Sequence, residues 1–311
     1  MNTTKHSISI VSPVYKAEKI VDKLVKRITE EVSKLTDNYE IILVEDGSDD
    51  NSWNRIEENC LRDKNVKGIK LTRNFGQHFA ITAGLKYSSG NWVVVMDCDL
   101  QDNPKYISEM IELAQEGYEI IFTRKIERKH SFFKNITASA FYFVLNYLTD
   151  NLRADKGIGC YSLLSRKVVD AFIDIKDYRR HYLMILRWLG FKYTYLEVKH
   201  ENRFEGKSTY SWSKLIMHAL DGITSQSDKL LRLSIAIGLM FFVVSLLISV
   251  YLVISFINHG ALAGWTSLMI AVFVSTGFIL IAVGILGIYI GKIFEQTKER
   301  PLYVVHKKLN F

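Results

Sequence analysis

Two stretches of this chain run for about 25 residues each without a charged side chain, and that length limits what the chain can become. They are Leu233–Ile257 and Trp265–Ile290. Either one is long enough, as a helix, to cross a hydrocarbon layer about 30 Å thick with some tilt. The connector between them, Asn258–Gly264, carries His259 as its one ionisable residue. Lys229 and Arg232 precede the first stretch, and Lys292, Lys298 and Arg300 follow the second. Basic flanks of this kind are retained on the cytoplasmic side, so both termini are expected there. The competing reading is an apolar core hairpin in a soluble protein. Gly284, Gly287 and Gly291 recur at spacings of three and four, the pattern of a close helix-packing face. Two spans are too few for a transport pathway. They are expected to anchor the chain in the cell (inner) membrane as a multi-pass protein, and they could also support a homo-oligomer.

Charge and cysteine usage narrow the partners. The formal net charge is +7 over 311 residues. Beside so apolar a C-terminal third, that excess suggests a membrane surface or phosphate-bearing substrates, and not nucleic acid. Cys60, Cys98 and Cys160 form an odd set with no metal-type spacing, which fits a reduced, cytosolic catalytic portion. The first fifteen residues, with serines and a proline inside a short apolar run, do not read as a signal peptide.

Before the spans, short apolar runs alternate with helical patterns. Ile8–Tyr15, Tyr39–Val44, Val66–Leu71, Trp92–Met96 and Glu119–Phe122 have the length and composition of strands buried on both faces. Between the first two, Ile20, Val21, Leu24, Val25, Ile28, Val32 and Leu35 follow helical spacing. Asp49 or Asp50 is expected to cap the second helix, and Pro104 to open the fourth as its first residue. The alternation predicts an α/β fold with a mostly parallel, doubly wound sheet. Tyr193–Val198 reads as a last strand. The expected organisation is a catalytic domain over 1–204, a juxtamembrane amphipathic segment over 205–232, a membrane hairpin over 233–291 and a cytoplasmic tail over 292–311.

Chemistry concentrates where the fourth run stops. WVVVMDCDLQDNP, Trp92–Pro104, passes abruptly from a buried strand to Asp97, Asp99, Gln101 and Asp102. Carboxylates at that position are costly unless paired or bound to a cation. In open α/β sheets the C-terminal strand ends are where ligands sit. All-oxygen donors select a hard divalent ion, Mg2+ or Mn2+, which also takes phosphate oxygens. The competing reading is a pair of solvated loop aspartates. Tyr15, Asp46, Arg73 and Asp97 should gather along one sheet edge. Neither G-x-G-x-x-G nor G-x-x-x-x-G-K-S/T is present, so dinucleotide and P-loop readings lose their main support. Further on, Arg124–Lys134 holds five Lys/Arg against one Glu and leads into an apolar aromatic helix pattern. That arrangement suits a membrane interface or, equally, a core helix behind a solvated charge run.

The ordered strings VSPVYKAE, VEDGSDDNS, RNFGQHFAITAGL, MDCDLQDNP and RFEGKSTYS resemble glycosyltransferase family 2. With two C-terminal spans and the tail ERPLYVV, the closer resemblance is to the polyprenyl-phosphate glycosyltransferases, such as dolichol-phosphate mannose synthase and bactoprenol glucosyltransferases. The resemblance implies a GT-A-type, Rossmann-like fold. The implied activity is inverting transfer of a sugar from a nucleotide sugar, most simply a UDP-linked hexose, to polyprenyl (undecaprenyl) phosphate at the cytoplasmic face.

It also implies roles for residues. Pro13, Tyr15, Glu18, Asp46, Arg73 and Asp97 would bind the nucleotide. Asp97, Asp99 and Gln101 would hold Mg2+ or Mn2+. Arg203, Lys207 and Ser208 match a phosphate-holding R-x-x-G-x-S segment, and Arg124, Arg128 and Lys129 would meet the lipid phosphate. Asp97 and Asp99 would serve catalysis. Where many relatives carry a G-D-F/Y-R motif, this chain has GIGCYSLLSR, Gly157–Arg166, with Cys160 and Ser162 at the Asp and Arg positions. Asp155 is the nearest carboxylate to act as a base. Alternative readings are a transferase acting on a lipid-linked or polysaccharide acceptor, or a non-catalytic nucleotide-sugar-binding membrane protein.

Overall fold

The computed structural model describes residues 7–125, 157–178, 180–199, 229–259 and 264–311. They fall into two units. One holds a sheet and is drawn from stretches up to Asn135, from Asp155 to Thr209 and from Arg300 to Phe311; the other holds the apolar helices within Tyr210–Glu299.

In the sheet unit the apolar runs become strands β1 (Ile8–Val14), β2 (Tyr39–Glu45), β3 (Val66–Leu71), β4 (Trp92–Val95) and β5 (Ile120–Lys125). The helices between them are α1 (Val21–Val32), α2 (Ser52–Arg62), α3 (Gln77–Tyr87) and α4 (Tyr106–Gln115). Then come β6 (Ile158–Ser165), α5 (Arg166–Asp174), α6 (Tyr182–Trp188) and β7 (Tyr193–Val198), with β8 (Val305–Leu309) near the C-terminus. The sheet order is β7-β5-β6-β4-β1-β2-β3-β8. Strands β4, β1, β2 and β3 run parallel, as do β5 and β7. β6 runs antiparallel between β4 and β5, and β8 runs antiparallel along β3.

Period-two alternation explains why both faces are covered. Ile8, Ile10, Ile41, Leu43 and Val94 point toward α1, α2 and α4, in a core with Leu24, Ile28, Ile56 and Met110. Val11, Ile42, Val44, Val93 and Val95 point the other way, against Ala80 and Ile81 of α3, Val169 and Phe172 of α5 and Tyr182 of α6. Strands wetted on neither side read as unbroken apolar runs, which is why these were visible in the sequence. α3 packs so tightly that a Cβ built at Gly84 lies 2.2 Å from Val11 Cγ1 and 3.2 Å from Val44 Cγ2.

Two strands were missed. β6, IGCYSLLS, lacks a clean apolar run, yet Tyr161, Ser162, Leu163 and Leu164 are buried. Its presence makes the sheet mixed, though still mostly parallel. β8, VHKKL, is polar, as edge strands commonly are. It lies within the segment expected to be a tail, and Asn310 fastens it through Nδ2 to the carbonyls of Cys60 (2.7 Å) and Val66 (2.8 Å). The start of α4 also differs from expectation. Pro104 lies in the turn before the helix, and its carbonyl accepts from Ile107 N–H at 3.0 Å.

The helical unit contains α7 (Lys229–His259) and α8 (Trp265–Thr297). Leu231–Ile248 and Val274–Thr297 have mean hydropathies of 2.4 and 2.2 and bury none of their length. Both helices are therefore long and apolar enough to cross a membrane. Among the described side chains, a Cβ built at Gly284, Gly287 or Gly291 meets nothing within 4 Å. One contact between the two helices is the ring pair Phe241–Phe278, with centroids 4.4 Å apart.

Gly84→Ala should destabilise the sheet unit by about 1–3 kcal/mol, because the new methyl has no room against Val11. Denaturant unfolding of the full chain in detergent checks this; an unchanged midpoint would contradict the packing described.

Candidate functional site

The register of the parallel strands brings three strand ends together. Val11 pairs with Val95 and Val14 with Glu45. Met96 N–H donates to the Val11 carbonyl at 3.1 Å and Asp46 N–H to Val14 at 2.9 Å. Tyr15, Asp46 and Asp97 therefore leave the sheet side by side. With Pro13, Val14, Asn74, Gly76, Gln77, Cys98 and Asp99 they line a cleft of about 320 Å³. This is the sheet edge at which the sequence expected a ligand.

Asp46 is buried, and its carboxylate holds the loop that enters α3. One oxygen accepts from Phe75 N–H at 2.8 Å and the other from Gly76 N–H at 2.9 Å. Burial pushes this carboxyl above its ordinary value, and the two N–H bonds pull it back. The neighbouring turn needs a glycine. Gly47 has φ +66°, and a Cβ there would lie 2.2 Å from Asn74 N. Ser48 N–H turns back to donate to Glu45 Oε1.

On the far side of the cleft, Gln77 at the start of α3 donates from Nε2 to Asp97 Oδ1 at 2.6 Å. Its amide also lies 3.8 Å from Cys160 Sγ. Asp97 N–H in turn donates to Asp102 Oδ2 at 3.1 Å. Asp99 accepts from Gln101 N–H at 3.1 Å, closing a tight turn in which Leu100 has φ +61°. Asp102 is buried and its carboxyl is pushed up to about 7, first by desolvation and then by the charge of Asp97; Lys125 offsets part of this. Cys98 is pushed up to about 12 by burial, and Cys160 is raised by burial as well. Both thiols are therefore neutral at physiological pH and poor nucleophiles.

Among the described residues no three of His, Cys, Asp and Glu converge as a ready-made metal cage. The donor set still fits a hard divalent cation that takes its remaining ligands from a bound diphosphate. Asp97 and Asp99 offer oxygen donors at the cleft wall, and a third carboxyl, Asp102, is held partly protonated by burial first and by their charge second. A cation relieves that repulsion.

Of the residues expected from the sequence, Pro13, Tyr15, Asp46, Asp97 and Asp99 line the cleft. Glu18 does not; its carboxylate accepts from Asn51 N–H at 3.2 Å and braces the entry to α2. Asp50 accepts from Ser52 N–H at 3.1 Å within the same turn. Arg73 stacks over the Phe75 ring at 4.2 Å, beside the lining residue Asn74. Gln101 meets Asp99 through its backbone. Arg124, at the end of β5, stacks over Tyr195 at 4.2 Å and is not a lining residue. Arg128, Lys129, Asp155, Arg203, Lys207 and Ser208 lie outside the described residues. Sequence reasoning gave Gln77 and Asp102 no role at the site. The D-x-D-x-x-D spacing was a signal for Asp102, whereas the Gln77–Asp97 contact joins residues twenty apart and had no local sign.

The profile of glycosyl transferase family 2 matches residues 9–173. An uncharacterised glycosyltransferase of Bacillus subtilis is 37% identical over 96% of this chain and 93% of its own length. The undecaprenyl-phosphate 4-deoxy-4-formamido-L-arabinose transferase of Proteus mirabilis is 32% identical over 97% of this chain and 94% of its own. Among solved structures, glucosyl-3-phosphoglycerate synthase of Mycobacterium tuberculosis, in complex with Mn2+ and UDP-glucose, superposes with a TM-score of 0.50. It is 17% identical and covers 71% of this chain and 77% of that one. At that identity the likeness shows the fold, which is of the GT-A type.

The raised Asp102 carboxyl has a consequence for stability. It binds its proton more tightly folded than unfolded, so metal-free protein should lose stability as pH rises from about 4 to about 7. Asp102→Asn keeps an acceptor for Asp97 N–H and should remove that loss, a gain on the order of 3 kcal/mol at pH 8. Thermal melts in chelator across this range measure it; parallel curves for the two proteins would refute the assignment.

Proposed function

Because the chain belongs to glycosyltransferase family 2 and is a glycosyltransferase, we propose that it transfers a sugar from a nucleotide sugar to polyprenyl phosphate, working at a membrane. The observation that carries this reading is the cleft itself. Tyr15, Asp46, Asp97 and Asp99 meet at the ends of three parallel strands, in a chain that also carries two apolar helices long enough to cross a bilayer. The full-length relatives named as undecaprenyl-phosphate transferases support the acceptor class. A UDP-linked hexose is the proposed donor, and the cytoplasmic face the proposed side.

The residues divide the work. Tyr15 stands half exposed at the cleft mouth, where its ring offers a face on which a nucleotide base stacks. Asp46 holds the Phe75–Gly76 loop and presents acceptor lone pairs to a base imide N–H. Asp97 and Asp99, with Gln101, would hold Mg2+ or Mn2+. A divalent ion bound there supplies positive charge against the leaving diphosphate. Gln77 fixes one oxygen of Asp97, so that carboxylate keeps a single orientation.

In the proposed reaction a phosphate oxygen of the lipid attacks the anomeric carbon. The bond from that carbon to the nucleoside diphosphate breaks with inversion, and its electron pair leaves on the diphosphate. A phosphate monoester has a second pKa of about 6, so the nucleophile is already anionic at neutral pH. What it needs is positioning, the role proposed for Arg128, Lys129, Arg203, Lys207 and Ser208. Arg124 stands at the start of that basic stretch. A general base is then dispensable, which accommodates Cys160 and Ser162 in place of charged residues on β6.

Detergent-purified protein should convert radiolabelled UDP-sugar into an organic-soluble product only when undecaprenyl phosphate and Mg2+ or Mn2+ are both present. Asp99→Asn should lower turnover at least about 100-fold while its circular dichroism is retained. Asp155→Asn should cost far less. Absence of any lipid product with UDP-glucose, UDP-N-acetylglucosamine, UDP-galactose and GDP-mannose would sink the proposal.

A further inference from the structure

The sheet unit holds a second cavity, which shares no lining residue with the cleft. It measures about 480 Å³ and lies among Thr82, Lys86 and Tyr87 of α3, Ile173 of α5, Arg180, and the strap Pro301–Val305 that leads into β8. Its aliphatic surface comes from Ile173, Leu302, Val304 and Val305.

Arg180 is the unusual member. It is 4% exposed. One Nη donates to the Ile175 carbonyl at 2.7 Å and the other to the Phe172 carbonyl, with the guanidinium 4.5 Å from the centre of the Phe172 ring. Those are neutral partners. Among the described residues no carboxylate stands within ion-pairing distance of it, and Nε has no hydrogen-bond acceptor. A guanidinium has five N–H donors, so three are left over. The Tyr303 hydroxyl, on the strap, is likewise buried without a partner. Lys86, exposed, adds a second positive charge to the lining. Burying a charge without a paired counter-ion is strongly unfavourable; Asp177 acts on Arg180 only through space, without an ion pair, and the guanidinium borders an empty space with aliphatic walls.

We propose that this cavity binds a small phosphate monoester with a short apolar body, its phosphate held by Arg180, Tyr303 and Lys86. A tetrahedral oxyanion matches the planar fork of arginine. The leftover guanidinium donors and the tyrosine hydroxyl gain acceptors at once, and the apolar body lies against Ile173 and Leu302. Arg180 Nε and the Tyr303 hydroxyl are closed off from solvent, so entry takes a movement of the strap. Thr82 and Lys86 stand on the same helix whose first residue, Gln77, holds Asp97. The site therefore sits behind the helix that braces the cleft.

The test uses the full chain in detergent and hexyl phosphate as the probe, with hexanol and inorganic phosphate alongside. Hexyl phosphate at about a hundredfold excess over its Kd should raise the melting temperature by about 5 °C. The same rise is expected in Asp99→Asn, whose metal ligand in the other cleft is lost. It should vanish in the double variant Lys86→Gln, Tyr303→Phe. That variant loses no hydrogen bond formed in the unliganded protein and should itself melt no lower than the parent. No rise in the parent overturns the proposal. So does an equal rise in the double variant, or an equal rise with hexanol, which would show filling of an apolar hole without recognition of the anion. Inorganic phosphate should give a smaller rise than hexyl phosphate; an equal one removes the apolar half of the assignment.

Discussion

One buried carboxylate holds the candidate site open. Asp46 leaves the end of β2 and takes the backbone N–H groups of Phe75 and Gly76 on its two oxygens. Those N–H groups belong to the loop that launches α3, and the first residue of α3 is Gln77, which in turn orients Asp97. The order of cause is therefore strand end, loop, helix start, and only then the acidic turn. Hydrogen bonds to a partly buried carboxylate are worth more than neutral ones, and leaving either partner bare is costly. A change at Asp46 therefore disturbs both walls of the cleft together. Its role in the unliganded chain is architectural, and the proposed contact to a nucleotide base would add to that role.

The parallel half of the fold was legible for a simple reason. β1, β2 and β4 are buried on both faces, so each is written as a mainly apolar run, unbroken in β4 and across Ile41–Val44 of β2, and Asp46 and Asp97 stand just past the ends of β2 and β4. The same logic exposed Asp97 and Asp99. It failed for β6, where Cys160 and Ser162 interrupt the pattern. Ser162 is nevertheless fully buried, its hydroxyl meeting Tyr182 Oη at 2.7 Å, and a serine satisfied by a distant tyrosine looks polar in sequence. It failed for β8 because an edge strand facing water carries lysines without penalty. The part played by Gln77 was hidden because it depends on a contact across the cleft. Glu18 shows a different limit. A motif match assigns it to the nucleotide, and in the unliganded chain its carboxylate accepts from Asn51 N–H at the mouth of α2.

Uncharged groups on β6 and α6 stand close enough to Asp97 to feel its charge. Cys160 and Tyr182 are both held in their uncharged forms by burial, and Cys98 shares that condition. The acidic turn thus looks onto a surface of low polarity. In the proposed function, charges there would act through a weakly screening medium, which favours binding of a cation and a diphosphate by two carboxylates.

The position of β8 has a consequence for how the protein is made. Its strand completes the sheet edge at β3, yet it follows both apolar helices in the chain. During synthesis the other seven strands emerge long before it. Until then β3 presents an unpaired edge, the kind of surface on which chains associate wrongly. Closure of that edge waits until α7 and α8 have been made. Synthesis of the two apolar helices and completion of the sheet are thereby put in a fixed temporal order, and a chain interrupted within either helix is left with its sheet unsealed.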